Sequence, residues 1–241
     1  MEISRVATAA RVTGMLAVLL FAGAPAAIQA GLVGPEPGFR LFAGSLLLGL
    51  LAVILGLIGL VRTRVVTGRG GRGRALLGAA LGFAVVGAIL VLAAPTGNLP
   101  IINDISTDLE DPPAFRAALG LPGNSGRDMA YPPDFRELQR LGYPDLGPIE
   151  VATPPAATLD RIADIARGLG WTDITRDDAA GTLEATETSR MFQFVDDVSV
   201  RVRPSGEGSI VDVRSKSRVG RGDLGANAAR IRRLRDALQP T

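Results

Sequence analysis

Uncharged apolar runs fill residues 13–33, 41–61 and 75–94, and nothing comparable recurs after residue 95. Each is close to the ~20 residues that cross a ~30 Å hydrocarbon core as a helix. The pattern therefore predicts a membrane anchor of three transmembrane helices over 1–95, followed by a water-facing part. Residues 96–148 read as an irregular arm, because Pro112, Pro113, Pro122, Pro132, Pro133, Pro144 and Pro148 interrupt any helix or central strand. Short helical pieces are expected at 113–119 and 134–141. Phe115, Leu119, Tyr131, Phe135, Leu138, Leu141 and Tyr143 argue that the arm packs onto the domain.

From residue 149 the pattern is regular. A strand at 149–153 precedes a helix at 155–170 with Leu159, Ile162, Ile165, Ala166 and Leu169 on one face. Strands follow at 171–175 and 182–189 around a turn at 177–181. Residues 195–203 and 210–218 alternate strictly about Pro204-Ser-Gly-Glu-Gly208, which predicts a hairpin. Asp223 is placed to cap a last helix whose stripe is Leu224, Ala228, Ile231, Leu234 and Leu238. The order β-α-β-β-β-β-α over 149–241 predicts an α+β fold: three N-terminal transmembrane helices, then an antiparallel sheet with helices packed on one face.

Charge orients the anchor. Arg5 and Arg11 precede the first run, and five arginines stand between Arg62 and Arg74, whereas residues 34–40 carry only Glu36 and Arg40. By the positive-inside rule the N-terminus and the arginine loop are cytoplasmic. Three crossings then place the domain in the periplasm or outside the cell, which makes this a multi-pass protein of the cell (inner) membrane. The first run also fits a cleavable signal peptide, with Ala24-Pro-Ala26 as a cleavage region; an uncleaved span is the expected form, and either leaves the domain outside. Glycines at 44, 49, 56, 59, 78 and 82 suit intramolecular packing of the anchor. No ionisable residue lies within a run, so the helices read as an anchor and not as a transport path.

Residues 1–95 carry a net charge of +6 and the remainder −4. The arginine loop lacks aromatics for base stacking, so no nucleic-acid partner is expected. The chain contains no His and no Cys. That excludes Ser-His-Asp and Cys-His catalysis, imidazole or thiolate zinc sites, covalent haem and disulfides, and no cofactor is implied.

Alternation assigns a polar face to the sheet. Asp197, Ser199, Arg201 and Arg203 share it with Asp212, Arg214, Lys216 and Arg218, and with Glu184, Thr186, Thr188 and Arg190. Exposed antiparallel faces are ordinarily polar, so a solvated face with cross-strand ion pairs is expected; the alternative is a polar cradle roofed by the arm.

Four ordered motifs then carry a resemblance: the stretch from Leu99 to Pro113 (LPIINDISTDLEDPP), Tyr143-Pro-Asp145, Asp196-Asp-Val-Ser-Val-Arg201, and Val211 to Ile231, containing VDVRSKSRVGRGDLGANAARI. Together they resemble domain-of-unknown-function family 1499 over residues 99–238. The resemblance implies a domain identity without an established activity. Lys216 stands where the family pattern looks variable, which argues against a Ser-Lys nucleophile on Ser215 or Ser217.

Oxygen-bearing side chains at Asp104, Ser106, Asp108 and Glu110 suggest a divalent-cation loop, with Asp104, Asp108 and Glu110 as the metal candidates, although the glycine of an EF-hand loop is missing. The glycine-rich entry to the last helix, with Arg218, Arg221 and Asn227, suggests an anion site. The structural alternative there is a turn with Arg218 or Arg221 paired to Asp197 or Asp212. The ligand-binding candidates are thus Asp104, Asp108, Asp197, Arg201, Arg214, Arg218 and Asn227. The favoured function is a non-catalytic extracytoplasmic module, held in the lipid bilayer and binding an envelope protein or a small polar ligand. On that reading Arg201→Ala and Arg214→Ala weaken binding without unfolding the domain. The second is a carboxylate-dependent hydrolase using Asp197 with Asp104 or Asp108. Oligomeric state is not encoded in any of these patterns.

Overall fold

A computed structural model describes residues 2–64, 69–94, 97 and 99–239. It divides into two compact units: the N-terminal helices up to Gly97 together with Arg190–Gln193, and the remainder from Asn98 onward.

The first unit contains α1 (Arg5–Gln29), α2 (Pro35–Arg62) and α3 (Arg72–Ala93), each long and apolar enough to cross a membrane. Ser4 caps α1 by accepting from the Ala7 N–H, and Pro35 opens α2 at a position where its missing N–H costs nothing. The helices approach through small residues. A Cβ on Gly78 would overlap the backbone of Ala10, and one on Gly82 would overlap the Gly49 carbonyl oxygen. Gly56 lies against Ala79 in the same way, whereas Gly44 faces open space. Phe21, Phe39, Phe42 and Phe192 form an aromatic cluster in this unit. At one end, Ile3 and Gly70 pair in parallel, with Ser4 N–H donating to Gly70 O and Gly70 N–H to Glu2 O, each at 3.0 Å. The N-terminal segment and the start of α3 therefore share one end of the bundle. Residues 65–68 of the arginine loop, 95 at the predicted end of the anchor, and 96 and 98 at the predicted start of the arm lie outside the described residues.

The second unit is an antiparallel sheet. Its strands are β1 (Asp104–Ser106), β2 (Ile149–Val151), β3 (Thr172–Asp177), β4 (Thr182–Thr188), β5 (Val195–Ser205) and β6 (Gly208–Ser217), in the order β1-β6-β5-β4-β3, with β2 also on β6. Helices α5 (Pro155–Gly168) and α6 (Ala226–Leu238) bury Leu159, Ile162, Ile231 and Leu234 in one core with Leu183, Val198, Val200, Val211 and Val213. The order predicted from residue 149 onward is the one observed. The hairpin is longer than its alternation suggested, because Pro204 and Ser205 still pair with Ser209 and Gly208.

Four expectations change. Residues 104–106, read as part of a loop, form edge strand β1, with Ile105 in the core and Asp104 and Ser106 on the other face. Residues 113–119 are not a helix. The N–H groups of Arg116, Ala117 and Ala118 instead donate to the Glu184 carboxylate, and only two short 3-10 turns follow, Ala118–Gly120 and Pro122–Asn124. Within the arm Phe115 and Tyr143 are buried, but Leu119, Leu138 and Leu141 are exposed, so the arm packs through fewer residues than expected. Leu224 does not belong to the α6 stripe: it precedes the helix, at φ 54°, and is exposed. The helix at 134–141 is present one residue on, as α4 (Phe135–Gly142).

Candidate functional site

Pairing across the sheet arranges the polar face in rows. Asp104, Lys216, Asp197, Thr186 and Thr172 lie side by side on β1, β6, β5, β4 and β3. The next row is Ser106, Arg214, Ser199, Glu184 and Thr175, and the third runs Asp212, Arg201, Thr182 and Asp177. Alternation had placed Glu184, Thr186, Asp197, Ser199, Arg201, Asp212, Arg214 and Lys216 together, as the register does; Arg190 lies beyond β4, and the members on β1 and β3 were not foreseen. The expected solvation is overturned, since Asp104, Asp197 and Asp212 are 0% exposed and Arg214 only 2%. The cover is the arm. Ser199 Oγ donates to Ala114 O, Asn124 Nδ2 to both Ala118 O and Asp197, and Arg127 to Ser217 O, while Glu184 takes the three arm N–H groups. Burying these charges without partners would be prohibitive, and each is paired.

Three ion clusters result. Asp104 accepts from Arg214 Nε at 2.9 Å, Arg214 NH2 at 2.7 Å and Lys216 Nζ at 2.8 Å. Asp197 accepts from Arg218 Nε and NH2 and from Asn124, with Arg127 3.8 Å away. Arg218 reaches it by lying against Gly123, where a Cβ would come within 2.7 Å of NH1. Asp212 accepts from Arg201 and Arg203 through Oδ2 alone, and its buried Oδ1 has no partner among the described residues. Asp108 joins this cluster through Oδ2, while its Oδ1 accepts from the N–H groups of Glu110 and Asp111.

The metal candidates are therefore separated by function. Asp104 serves Arg214 and Lys216, Asp108 caps a turn and meets Arg201, and Glu110 pairs with Arg140 at 2.6 Å. No group of three or more acidic residues able to hold a metal ion occurs among the described residues. The physical reason is strand β1: alternation turns Asp104 under the arm, away from the loop that follows. Of the pairings considered at the helix entry, Arg218 with Asp197 is the one formed. The N-cap residue of α6 is Gly225 and not Asp223 as expected, but Asp223, two residues earlier, accepts from the N–H groups of Gly225 and Asn227 and so takes donors an anion there would need.

Asn227 does not join the other candidates. It lies on the helix-facing side of the sheet, where its Oδ1 accepts from Ser215 Oγ and Arg230 NH1. Arg230, absent from the sequence-derived candidates, is 2% exposed and organises this second network. It donates to Asp196 at 2.6 Å and to Glu187 at 2.9 Å, and Trp171 Nε1 donates to Glu187 at 2.7 Å. Burial pushes the Glu187 carboxyl up, but Arg230 and Arg233 outweigh it and hold it below the ordinary glutamate value. Its signal was available: Arg230 falls three residues after Asn227 and four before Leu234, inside the buried stripe of α6.

The arm leaves a cleft of about 500 Å³ over Arg214. Its walls include Phe115, Leu119, Met129 and Tyr131, and Arg136 completes the lining, which contains no acidic residue. The Arg214 guanidinium sits 4.8 Å from the Phe115 ring centre and 5.5 Å from that of Tyr131, a cation-π arrangement. Four of its five N–H donors are engaged, by Asp104 twice, Pro113 O and Met129 O. Tyr131 donates to Gln139, and burial, followed by the Asp104 charge, pushes its hydroxyl pKa up. It stays neutral throughout the physiological range.

A comparison with curated proteins finds no match. Residues 104–238, more than half of the chain and nearly all of the sheet unit, match the family model described as protein of unknown function DUF1499. With β1 at one limit of the match and the last residue of α6 at the other, the chain belongs to the DUF1499 family.

Proposed function

We propose that this protein is a non-catalytic binding module, fixed in the inner membrane by α1–α3 and presenting its sheet unit on the extracytoplasmic side. The observation that carries the reading is the cleft over Arg214: open to solvent, of a size typical for small-ligand sites, walled by apolar side chains among polar groups, and ending on a fixed cation. Positive residues at the α1 and α3 starts support the orientation. The ion clusters support binding over catalysis, because Asp104, Asp197 and Asp108 are each held by arginine or lysine. Lys216 also stands between Asp104 and Asp197 on the sheet, which leaves no substrate space between the two carboxylates named for hydrolysis.

The polar face itself is not the binding surface on this reading, since the arm already occupies it. Arg214 supports both site and fold, so Arg214→Ala is a poor test. Ala130→Trp is better, because Ala130 is exposed and lines the cleft, and an indole there fills the space without touching an ion pair. Full-length protein extracted from its native membrane should carry a bound small molecule in native mass spectra, lost in Ala130→Trp. Identical spectra for the two proteins, with no ligand whose binding the substitution blocks, would end the proposal.

A further inference from the structure

Arg136 is the cleft's second cation, and its buried Nε has no acceptor among the described residues. Buried donors in folded proteins are nearly always paired, so an unpaired one at the wall of an open cleft calls for an external acceptor. Arg214, which also lines the cleft, has one N–H without an acceptor among the described residues. Arg214 and Lys216 also share the single carboxylate of Asp104, so that triad beneath the cleft carries one excess positive charge. An anion is the chemistry that satisfies all three observations.

The remaining lining limits which anion. Phe115, Leu119 and Met129 offer an apolar surface, with Leu119 53% exposed although it lies in a folded arm. Besides the arginines, the only lining side chain with a donor is Tyr131, whose hydroxyl is engaged by Gln139. A phosphate brings more oxygens than these donors can meet and would leave some against apolar walls. A carboxylate has two oxygens, pairs with guanidinium edge-on, and can extend an aliphatic chain along the apolar side.

We propose that the cleft binds a single-chain aliphatic carboxylate, its head on Arg136 and the unused Arg214 N–H and its chain along Phe115, Leu119 and Met129. This deepens the binding-module reading and depends on it. The test uses the full chain in phospholipid nanodiscs, titrated with octanoate labelled with ¹³C at the carboxyl carbon and observed by NMR, with empty nanodiscs as the blank. Octanoate should bind saturably; acetate and octyl glucoside, which supply head or tail alone, should bind at least tenfold more weakly. Arg136→Gln should weaken octanoate at least tenfold while Trp171 fluorescence shows unchanged unfolding, and Ala130→Trp should abolish binding. Unsaturable octanoate signals, equal binding by Arg136→Gln, or acetate binding as well as octanoate would each overturn the proposal. Inorganic phosphate binding that Ala130→Trp blocks, in the absence of octanoate binding, would refute the carboxylate and keep the cleft as a binding site. Loss of every ligand response, with native mass spectra that Ala130→Trp leaves unchanged, would refute both.

Discussion

Arg230 occupies a position in α6 where the helical period calls for an aliphatic residue, and it is buried because Asp196, Glu187, Ser215 and Asn227 surround its guanidinium. Its removal would strand the buried Asp196 carboxylate and leave Glu187 to Arg233 and Trp171. Arg230→Met should therefore destabilise the sheet unit by about 3–5 kcal/mol, the usual cost of breaking a buried ion pair from one side. Trp171, the only tryptophan of the chain, lies in this core and hydrogen-bonds Glu187, so denaturant unfolding followed by its fluorescence reads this unit selectively. An unchanged midpoint would show that the network is not needed. The pH dependence of the same signal follows from Glu187, whose folded pKa is lowered. A lowered carboxyl pKa gives stability that is present above the ordinary glutamate value and lost as pH falls through the folded one. Wild type should lose stability on acidification below about pH 4.3, and Glu187→Gln, weaker at pH 7, should show a shallower loss. Asp223 works in the opposite sense. Burial raises its pKa despite the N–H groups of Asn227 and Gly225, so its contribution is present below the ordinary aspartate value and is lost as pH rises through the folded one.

At the scale of elements, the arm is held less by apolar packing than by groups reaching up from the sheet. Glu184 receives three consecutive N–H groups of the arm, at 2.8, 3.0 and 2.9 Å. Glu184→Gln turns one acceptor into a donor facing the Ala118 N–H, and leaving a buried donor unmet costs about 1–3 kcal/mol. Hydrogen exchange should quicken at residues 116–118 and limited proteolysis should start in the arm, while β5 and β6 stay protected; uniform protection would contradict this role. The same contact explains what the sequence left hidden. Residues 113–119 have helical composition, but the carboxylate that takes their N–H groups lies 66 to 68 residues away. Strand β1 has three residues, too few for alternation to register. The period-two pattern identified which residues share the polar face, since that follows from strand geometry alone. It could not say whether the face is wet, because the cover comes from a segment with no period of its own. The Arg218–Asp197 pair was among the pairings that charge and the predicted hairpin allowed, whereas the cleft depends on Phe115, Met129 and Arg136 meeting over Arg214, which no local pattern records.

For the whole molecule, the apolar runs and the charge asymmetry carry most of the information. The three predicted runs overlap helices that begin earlier, at Arg5, Pro35 and Arg72, because capping and first-turn residues extend a helix beyond its uncharged segment, while α1 stops at Gln29, short of the end of its run. Ile3 pairing with Gly70 puts Arg5 and Arg69 at one end of the bundle, where the positive-inside rule counts them together. If that end is cytoplasmic, an odd number of crossings puts the sheet unit on the far side. The chain has no cysteine, which makes single-cysteine labelling free of background. In intact cells a membrane-impermeant maleimide should modify Ser125→Cys, an exposed arm position, and should leave Arg64→Cys unmodified until the membrane is opened. The reverse pattern would turn the protein over, and would move the cleft's ligand from the envelope to the cytoplasm without altering the chemistry that Arg136 and Arg214 provide.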